Sequence, residues 1–467
     1  MLDFDYSDGD FLERSLEELD ARLKAGENPF FSPETYNRLI QHFIQAKNLS
    51  KALRVAKMGV EQNPFSLELK IQKAQTYALL GKADKALGII SDIENLYPND
   101  ADLLRMKGKL LIATGKFEAG IECLKKTLRF SDDISEVQFQ IGMAYEYLEQ
   151  HKNAISHFRF ALEENPVHEE AIIELIHCAE VSNKMPVCVR YFQKRIDKDP
   201  FDAYAWYYLG LVRAQQNDFK KAVHDLEYAV AINDDFDKAQ LNLAHSYMNL
   251  GEFEKAYEAY LFTLDLAGES AYIYCHIGAT KEKQADFGTA LKYYKKASEL
   301  DEQSDEAYFG MAVCLYEKEK WLESVHFYKK ATQIASYVQH YWVGLAEAEH
   351  QLGNWQATQD AFEKAASILN FTPEIWVKWA NAYHKEGDLA NAIAIIKEGL
   401  EEIPDNAELN YRMCAYNLLA GDYKTALEYL DLSLALNYEM HIMLYDFFPT
   451  LEIQKVLTRM INQFKEK

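Results

Sequence analysis

Proline and glycine are scarce in this chain, at 10 and 20 of 467 residues. Ala, Leu, Glu, Lys and Tyr are plentiful instead, a composition that favours helix. Cysteine is scarcer still: six residues with no C-x-x-C pair do not make a disulfide framework. Buried, reduced thiols are expected, which fits the cytoplasm. No apolar run approaches the roughly 18 to 20 residues needed to cross a bilayer. The opening "MLDFDYSDGDFLE" is acidic and lacks the basic and apolar regions of a signal peptide. Positive charge is also in deficit, with 50 Lys and Arg against 73 Asp and Glu, a net charge of -23 and a pI near 5.1. There is no basic block to neutralise phosphates, so neither nucleic acid nor an anionic membrane is an expected partner. The charge keeps a large surface soluble.

Catalytic signatures are missing too. There is no G-x-S-x-G, no P-loop, no H-E-x-x-H and no dinucleotide fingerprint. "DFDYSDGDF" resembles a calcium loop, but Gly9 is out of register with the required spacing.

What the chain does have is one unit, repeated. Prolines at 64, 98, 166, 200 and 404 fall on a grid with a spacing of 34. Small residues fall on a second grid of the same period, from Ala52 and Ala86 through Gly120, Ala154, Cys188, Ala222, Ala256, Ala290, Ser324, Thr358 and Ala392 to Ala426. This second grid passes through twelve units with no insertion or deletion. Within a unit the apolar period is helical: Trp206, Leu209, Gly210 and Arg213, then Ala222, Leu226 and Ala229, recur at three- and four-residue steps. Each unit is therefore expected to be two antiparallel amphipathic helices joined by a tight turn, with the small residue where they cross.

"WYYLGLV", "FQIGMAY" and "YCHIGAT" in the first helix, and "KNAISHFRFALEENP" in the second, resemble the tetratricopeptide repeat. The resemblance covers nearly nine tenths of the chain. It implies an all-α fold, a right-handed α-solenoid or superhelix of helix pairs, with a concave groove lined by the first helices. The expected organisation is an acidic tail and capping helix at 1–32, twelve units at 33–440, and a C-terminal capping helix at 441–467. Asp10 with Glu13 reads as a capping box, ahead of an apolar face of Phe11, Leu12, Leu16, Leu19 and Leu23. Ile453, Val456, Leu457, Met460, Ile461 and Phe464 form a stripe at the other end, which either caps the last unit or mediates dimerisation.

His177 with Cys178, and Cys275 with His276 and His245, place possible metal ligands close together. Hydrogen-bonded or solvated histidines are the expectation there, with no metal and no cofactor. All six Trp sit on repeat positions and are expected to wedge between helices: Trp206, Trp342 and Trp376 as the fourth residue, Trp379 at the inner seam, Trp321 and Trp355 at the turn.

The groove remains. The second, fifth, sixth, ninth and twelfth residues of each first helix point away from the packing seam. Early units place polar sets there: Glu34, Asn37, Arg38 and Gln41, then Asp102, Arg105 and Lys109. Units six to nine place an apolar and aromatic row: Tyr204, Tyr207, Tyr208, Leu211, Leu241, Asn242, His245, Met248, Tyr272, Cys275, His276, Phe309, Val313 and Tyr316. Units eleven and twelve supply a small basic patch of Lys378, Asn381, His384, Lys385, Tyr411 and Arg412. The resemblance offers a carboxylate clamp of Lys, Asn and Arg from three successive units. Lys378, Asn381 and Arg412 come nearest without satisfying it, so chaperone-tail binding is not carried over. An exposed apolar groove usually marks binding. The sequence thus points to a non-catalytic cytoplasmic scaffold that holds a protein or peptide partner in units six to nine. A homo-oligomer assembled through the C-terminal helix is a second reading, and a peptide or small-ligand sensor a third.

Overall fold

A computed structural model describes residues 8–98, 100–368, 372–448 and 455–465. Among these, all regular structure is helical, and no helix is long and apolar enough to cross a membrane. The chain divides into two compact units, residues 1–200 and 201–467.

The first unit opens with α1 (Asp8–Lys24) and continues in five pairs. These are α2 (Pro33–Gln45) with α3 (Leu49–Gln62), α4 (Leu67–Leu79) with α5 (Ala83–Glu94), and α6 (Ala101–Ala113) with α7 (Phe117–Thr127). Then come α8 (Ile134–Tyr147) with α9 (His151–Glu164), and α10 (Glu169–Val181) with α11 (Pro186–Lys198).

The second unit holds seven pairs, beginning with α12 (Ala203–Gln215) and α13 (Phe219–Ile232), α14 (Asp237–Leu250) and α15 (Phe253–Ala267), and α16 (Ala271–Lys283) and α17 (Phe287–Leu300). Next are α18 (Asp305–Glu317) and α19 (Trp321–Ile334), and α20 (Gln339–Gln351) and α21 (Trp355–Ala366). The last pairs are α22 (Pro373–Lys385) and α23 (Leu389–Glu402), and α24 (Ala407–Ala420) and α25 (Tyr423–Leu436). A 3-10 segment (Tyr438–Met443), the short α26 (Leu444–Phe447) and α27 (Lys455–Lys465) follow. Each unit is an α-solenoid in which pairs stack on their neighbours in sequence.

Two local features repeat and explain the regularity. The small residue of each pair is buried in all twelve, from Ala52 to Ala426, so the two helices of a pair can cross closely. The turn between them carries a left-handed residue at 47, 81, 115 and every 34th position to 421. Six are glycine, while Lys47, Glu149, Asn183, Asn217, Ala285 and Glu319 adopt the same conformation at a cost of about 1–2 kcal/mol each. In eleven of the twelve the next residue is the N-cap of the second helix; α11 has it one residue later, at Met185. Asn48, Asp218, Asp286, Asp388 and Asp422 each accept a hydrogen bond from the backbone N–H three residues on.

The ends carry apolar cover. Leu19 of α1 is fully buried with Tyr36, Leu39 and Ile40 of α2, a burial worth about 1.5–3 kcal/mol for a leucine. Asp10 is not the N-cap, because the helix already runs from Asp8; the side chains of Asp10 and Phe11 lie outside the described residues. At the other end Leu457 and Ile461 of α27 are buried with Leu430, Leu434 and Leu444 of the same chain. Ile453 and the Val456 side chain lie outside the described residues. The tryptophans differ from the expectation. Trp376 and Trp379 are buried, but Trp206, Trp321, Trp342 and Trp355 are half-buried, because stacking on a neighbouring ring or a turn satisfies them at the surface. Trp206 lies flat on Tyr228, 4.6 Å between ring centres.

Candidate functional site

The first helices of the second unit present their sixth residues in one row: Tyr208, Asn242, His276, Gly310, Gly344, Lys378 and Arg412. The candidate groove residues lie on and beside this row, and they separate into three neighbourhoods.

At α12 the tyrosines are packing rather than surface. Tyr207 and Tyr208 are 8% and 7% exposed, more buried than Trp206 beside them. Phe236, from the segment between α13 and α14, sets its ring 4.8 Å from Tyr207 and 4.9 Å from Tyr204, and Tyr207 in turn lies 4.9 Å from Tyr208. Tyr204 keeps half of its surface exposed, and Leu211 is half-buried.

At α14 and α16, Leu241, Asn242, His245, Met248 and His276 are half-buried and Tyr272 is exposed. The two imidazoles meet at 4.7 Å, with Tyr260 of α15 stacked on His276 and Tyr272 set edge-on to both. Tyr272 Oη lies 3.4 Å from His245 Nε2, and Thr280 Oγ1 donates to Met248 Sδ. The Tyr260 hydroxyl and His276 Nε2 are buried without a hydrogen-bond partner among the described residues. Burial disfavours the charged forms: the His276 imidazole is pushed down to about 4, helped by His245, and His245 is also lowered. Cys275 does not join this cluster. It is buried and turned toward the next pair, with Sγ 3.7 Å from Ser304 Oγ. No group of three metal-ligating side chains occurs among the described residues.

The open part of the groove lies further along, across α18, α20 and α22. There a cleft of about 940 Å³ is lined by Phe309, Val313 and Tyr316 from the expected set, and by Tyr328, His340 and Glu347 from outside it. Gly344 is part of this lining, and its missing side chain leaves room for a ring from behind. A Cβ there would fall 2.5 Å from Tyr328 Cε1, so the ring of a second-helix tyrosine forms the floor. Gly310 sits over Tyr294 in the same way, 2.2 Å from the ring to the would-be Cβ. Aromatic-rich reading of the sixth positions passes over both; two consecutive glycines in a row otherwise filled by large or polar side chains are the signal.

The supposed basic patch is largely spent on internal pairs. Lys378 Nζ lies 3.0 Å from Glu347 Oε2 and 3.0 Å from Glu374 Oε1. Arg412 donates to Asn381 Oδ1 at 2.8 Å, lies 3.6 Å from Glu408, and carries the Phe447 ring 5.6 Å from its guanidinium carbon. Phe447 also stands edge-on to His384 and Tyr416, so α26 covers this end of the row. Lys385 remains exposed, and Tyr411 is buried with its hydroxyl on Asn437 O. The compensating carboxylates come from a neighbouring first helix, Glu347, and from one turn upstream, Glu374 and Glu408.

The first unit has a cleft of its own, about 760 Å³, between Ile44, Ile71, Leu79 and Met106. Its rim charges cancel locally, Arg105 on Asp102 and Lys109 on Glu136.

Family models of the tetratricopeptide repeat match residues 135–168, 213–262, 271–304 and 373–406. The 34-residue matches begin one residue after Ile134, at Ala271 and at Pro373, in phase with the helix pairs. Among curated proteins the chain is similar to the BBSome complex member BBS4 of Bos taurus, 23% identical over 278 residues, covering 59% of this chain and 53% of that protein. It is also similar to the TPR repeat-containing protein YpiA of Bacillus subtilis (strain 168), 22% identical over 263 residues, covering 47% of this chain and 60% of that protein. The matches thus span less than two thirds of the length of these relatives. Among solved structures, yeast Tom70 aligns with 92% of this chain and 99% of its own, at a TM-score of 0.46 and 14% identity.

Proposed function

The chain is a tetratricopeptide-repeat protein, and from that premise we propose that it is a non-catalytic scaffold holding a peptide or helix of a partner protein. The observation that carries this reading is the 940 Å³ cleft across α18, α20 and α22, open to solvent and floored by aromatic rings. Such a cleft exposes apolar area that a partner's side chains would cover. Phe309, Val313 and Tyr316 are its anchors, with His245, His276 and Tyr272 continuing the same face toward α14. Tyr207 and Tyr208 are buried at α12 and are not among its anchors. A cytoplasmic setting belongs to the proposal and is supported by six buried, unpaired cysteines. The net charge of -23 argues against nucleic acid and anionic membrane as partners.

Affinity purification of the full chain from its native cell, followed by mass spectrometry, tests the reading. Phe309→Ala with Tyr316→Ala should remove the captured partners while the helical melt is nearly retained. Unchanged capture by the double variant overturns the groove assignment. The self-assembly reading has less behind it, since Leu457 and Ile461 are already buried within their own chain. Light scattering of the full chain separates the two: a mass of one chain removes self-assembly, and a larger mass restores it.

A further inference from the structure

The cleft across α18, α20 and α22 has a charge that its apolar floor does not explain. Three carboxylates line it, Glu317, Glu347 and Glu374, against the single ammonium of Lys378. His340, on the same wall, does not add a cation at neutral pH, because burial lowers its imidazole further below the neutral range. Glu317 is exposed and has no salt-bridge partner among the described residues. Both Glu347 and Glu317 lie close enough to Tyr316 to push its phenol upward, after the larger effect of burial. Tyr316, Glu317 and Glu347 all line the cleft, so carboxylates and an aromatic ring share one space.

That space already holds an ammonium group, since Lys378 Nζ lies 3.0 Å from Glu347 and 3.0 Å from Glu374. Of the rings beside it, Phe309 is half-buried and stacks on the buried Tyr341 at 4.7 Å, while Tyr328 is packed under Gly344. Carboxylate paired with aromatic face is the environment in which a guanidinium or ammonium is bound by both charge and ring. Resting on the scaffold reading above, we propose that this cleft receives a cationic segment of the partner, an arginine or lysine set between apolar side chains, its charge held by Glu317 and Glu347 beside Tyr316. A second copy of this chain does not fit the role, because its net charge of -23 opposes approach to an acidic cleft. The apolar neighbours of the cation would lie against Phe309 and Val313, whose surfaces are half-buried and face the same space.

A random twelve-residue peptide library displayed on phage, panned against the full chain, supplies the test. Enriched peptides should carry Arg or Lys beside aromatic or aliphatic residues. Synthetic fluorescein-labelled versions should bind at least about tenfold more weakly to the Glu347→Gln, Glu374→Gln variant. Glu317→Gln, an exposed change with no bearing on folding, should weaken the same peptides in the same direction. Enriched peptides that are neutral or acidic, yet lose binding with Phe309→Ala, overturn the cationic assignment and leave the groove reading standing. Cationic peptides indifferent to all three glutamates overturn it as well. Failure to enrich any peptide that depends on Phe309 removes both readings together.

Discussion

Tyr328 lies directly beneath Gly344, where a Cβ would fall 2.5 Å from its Cε1 atom. One side chain withheld from a first helix thus lets a ring of the helix behind it pack directly against the backbone, where it is buried. Gly344→Ala should shift that ring, cost about 1–3 kcal/mol in a urea unfolding series, and weaken any peptide that uses the cleft. Wild-type stability and undiminished peptide binding in this variant would show that the floor is not where the glycine places it.

The left-handed turn positions make the opposite kind of prediction. Ala285 has φ 58° with no side chain able to hydrogen-bond its own backbone, whereas the equivalent positions at 251 and 353 hold glycine. Ala285→Gly should stabilise the second unit, by about 1 kcal/mol once the greater freedom of glycine in the unfolded chain is counted. Chemical denaturation read by far-UV circular dichroism measures it, and a loss of stability would contradict the assigned conformation.

Acid should act through the paired imidazoles. His276 is held near 4 in the folded chain against an ordinary value of 6.5, chiefly by burial and then by His245. The unfolded chain therefore binds more protons between about pH 6.5 and pH 4, so stability is full above that window and falls as pH drops through it. The loss is on the order of 3 kcal/mol at most for one such group. Comparing urea midpoints at pH 7.5 and 5.0 for wild type and His276→Gln isolates this contribution, which the variant should lack. Parallel pH slopes in the two proteins would refute it.

Phe447 fastens the C-terminal segment to the last first-helices through Arg412, His384 and Tyr416. Phe447→Ala should loosen residues 438–448 ahead of the rest, with a loss of about 1–2 kcal/mol for a half-buried aromatic. Hydrogen exchange by mass spectrometry should show faster labelling confined to that segment and to α24. Uniform labelling across the unit would show that Phe447 holds more than its own segment.

The helix pairs were legible because period, small residue and turn all recur at 34, and each records a local requirement that no distant contact can override. The functional surface was less so. Tyr204, Tyr207 and Tyr208 share a helix, yet Tyr207 and Tyr208 are buried, with Phe236 from the following connection against Tyr207, and nothing local in "AYAWYYLGLV" announces that. Lys378 reads as positive charge on its own helix, while Glu347 one repeat earlier cancels part of it. The convergence of His245 and His276 was visible because both occupy groove positions of adjacent units. Their loss of charge was not, since it depends on the burial that Tyr260 and Tyr272 provide. Gly310 and Gly344 were plainly printed, but an absent side chain gains meaning only once the ring below it is known.

The unbroken spacing of the left-handed turns, from Lys47 to Gly421, also governs which edits the chain can absorb. Excising any 34 consecutive residues inside one unit brings a cap, a small residue and a turn back to their own places, so the surviving helices meet faces they already fit. An excision longer or shorter by one residue rotates everything downstream by about 100° on the helix, turning core outward. Such a chain is edited in whole periods, and its length is free to drift only in steps of one repeat.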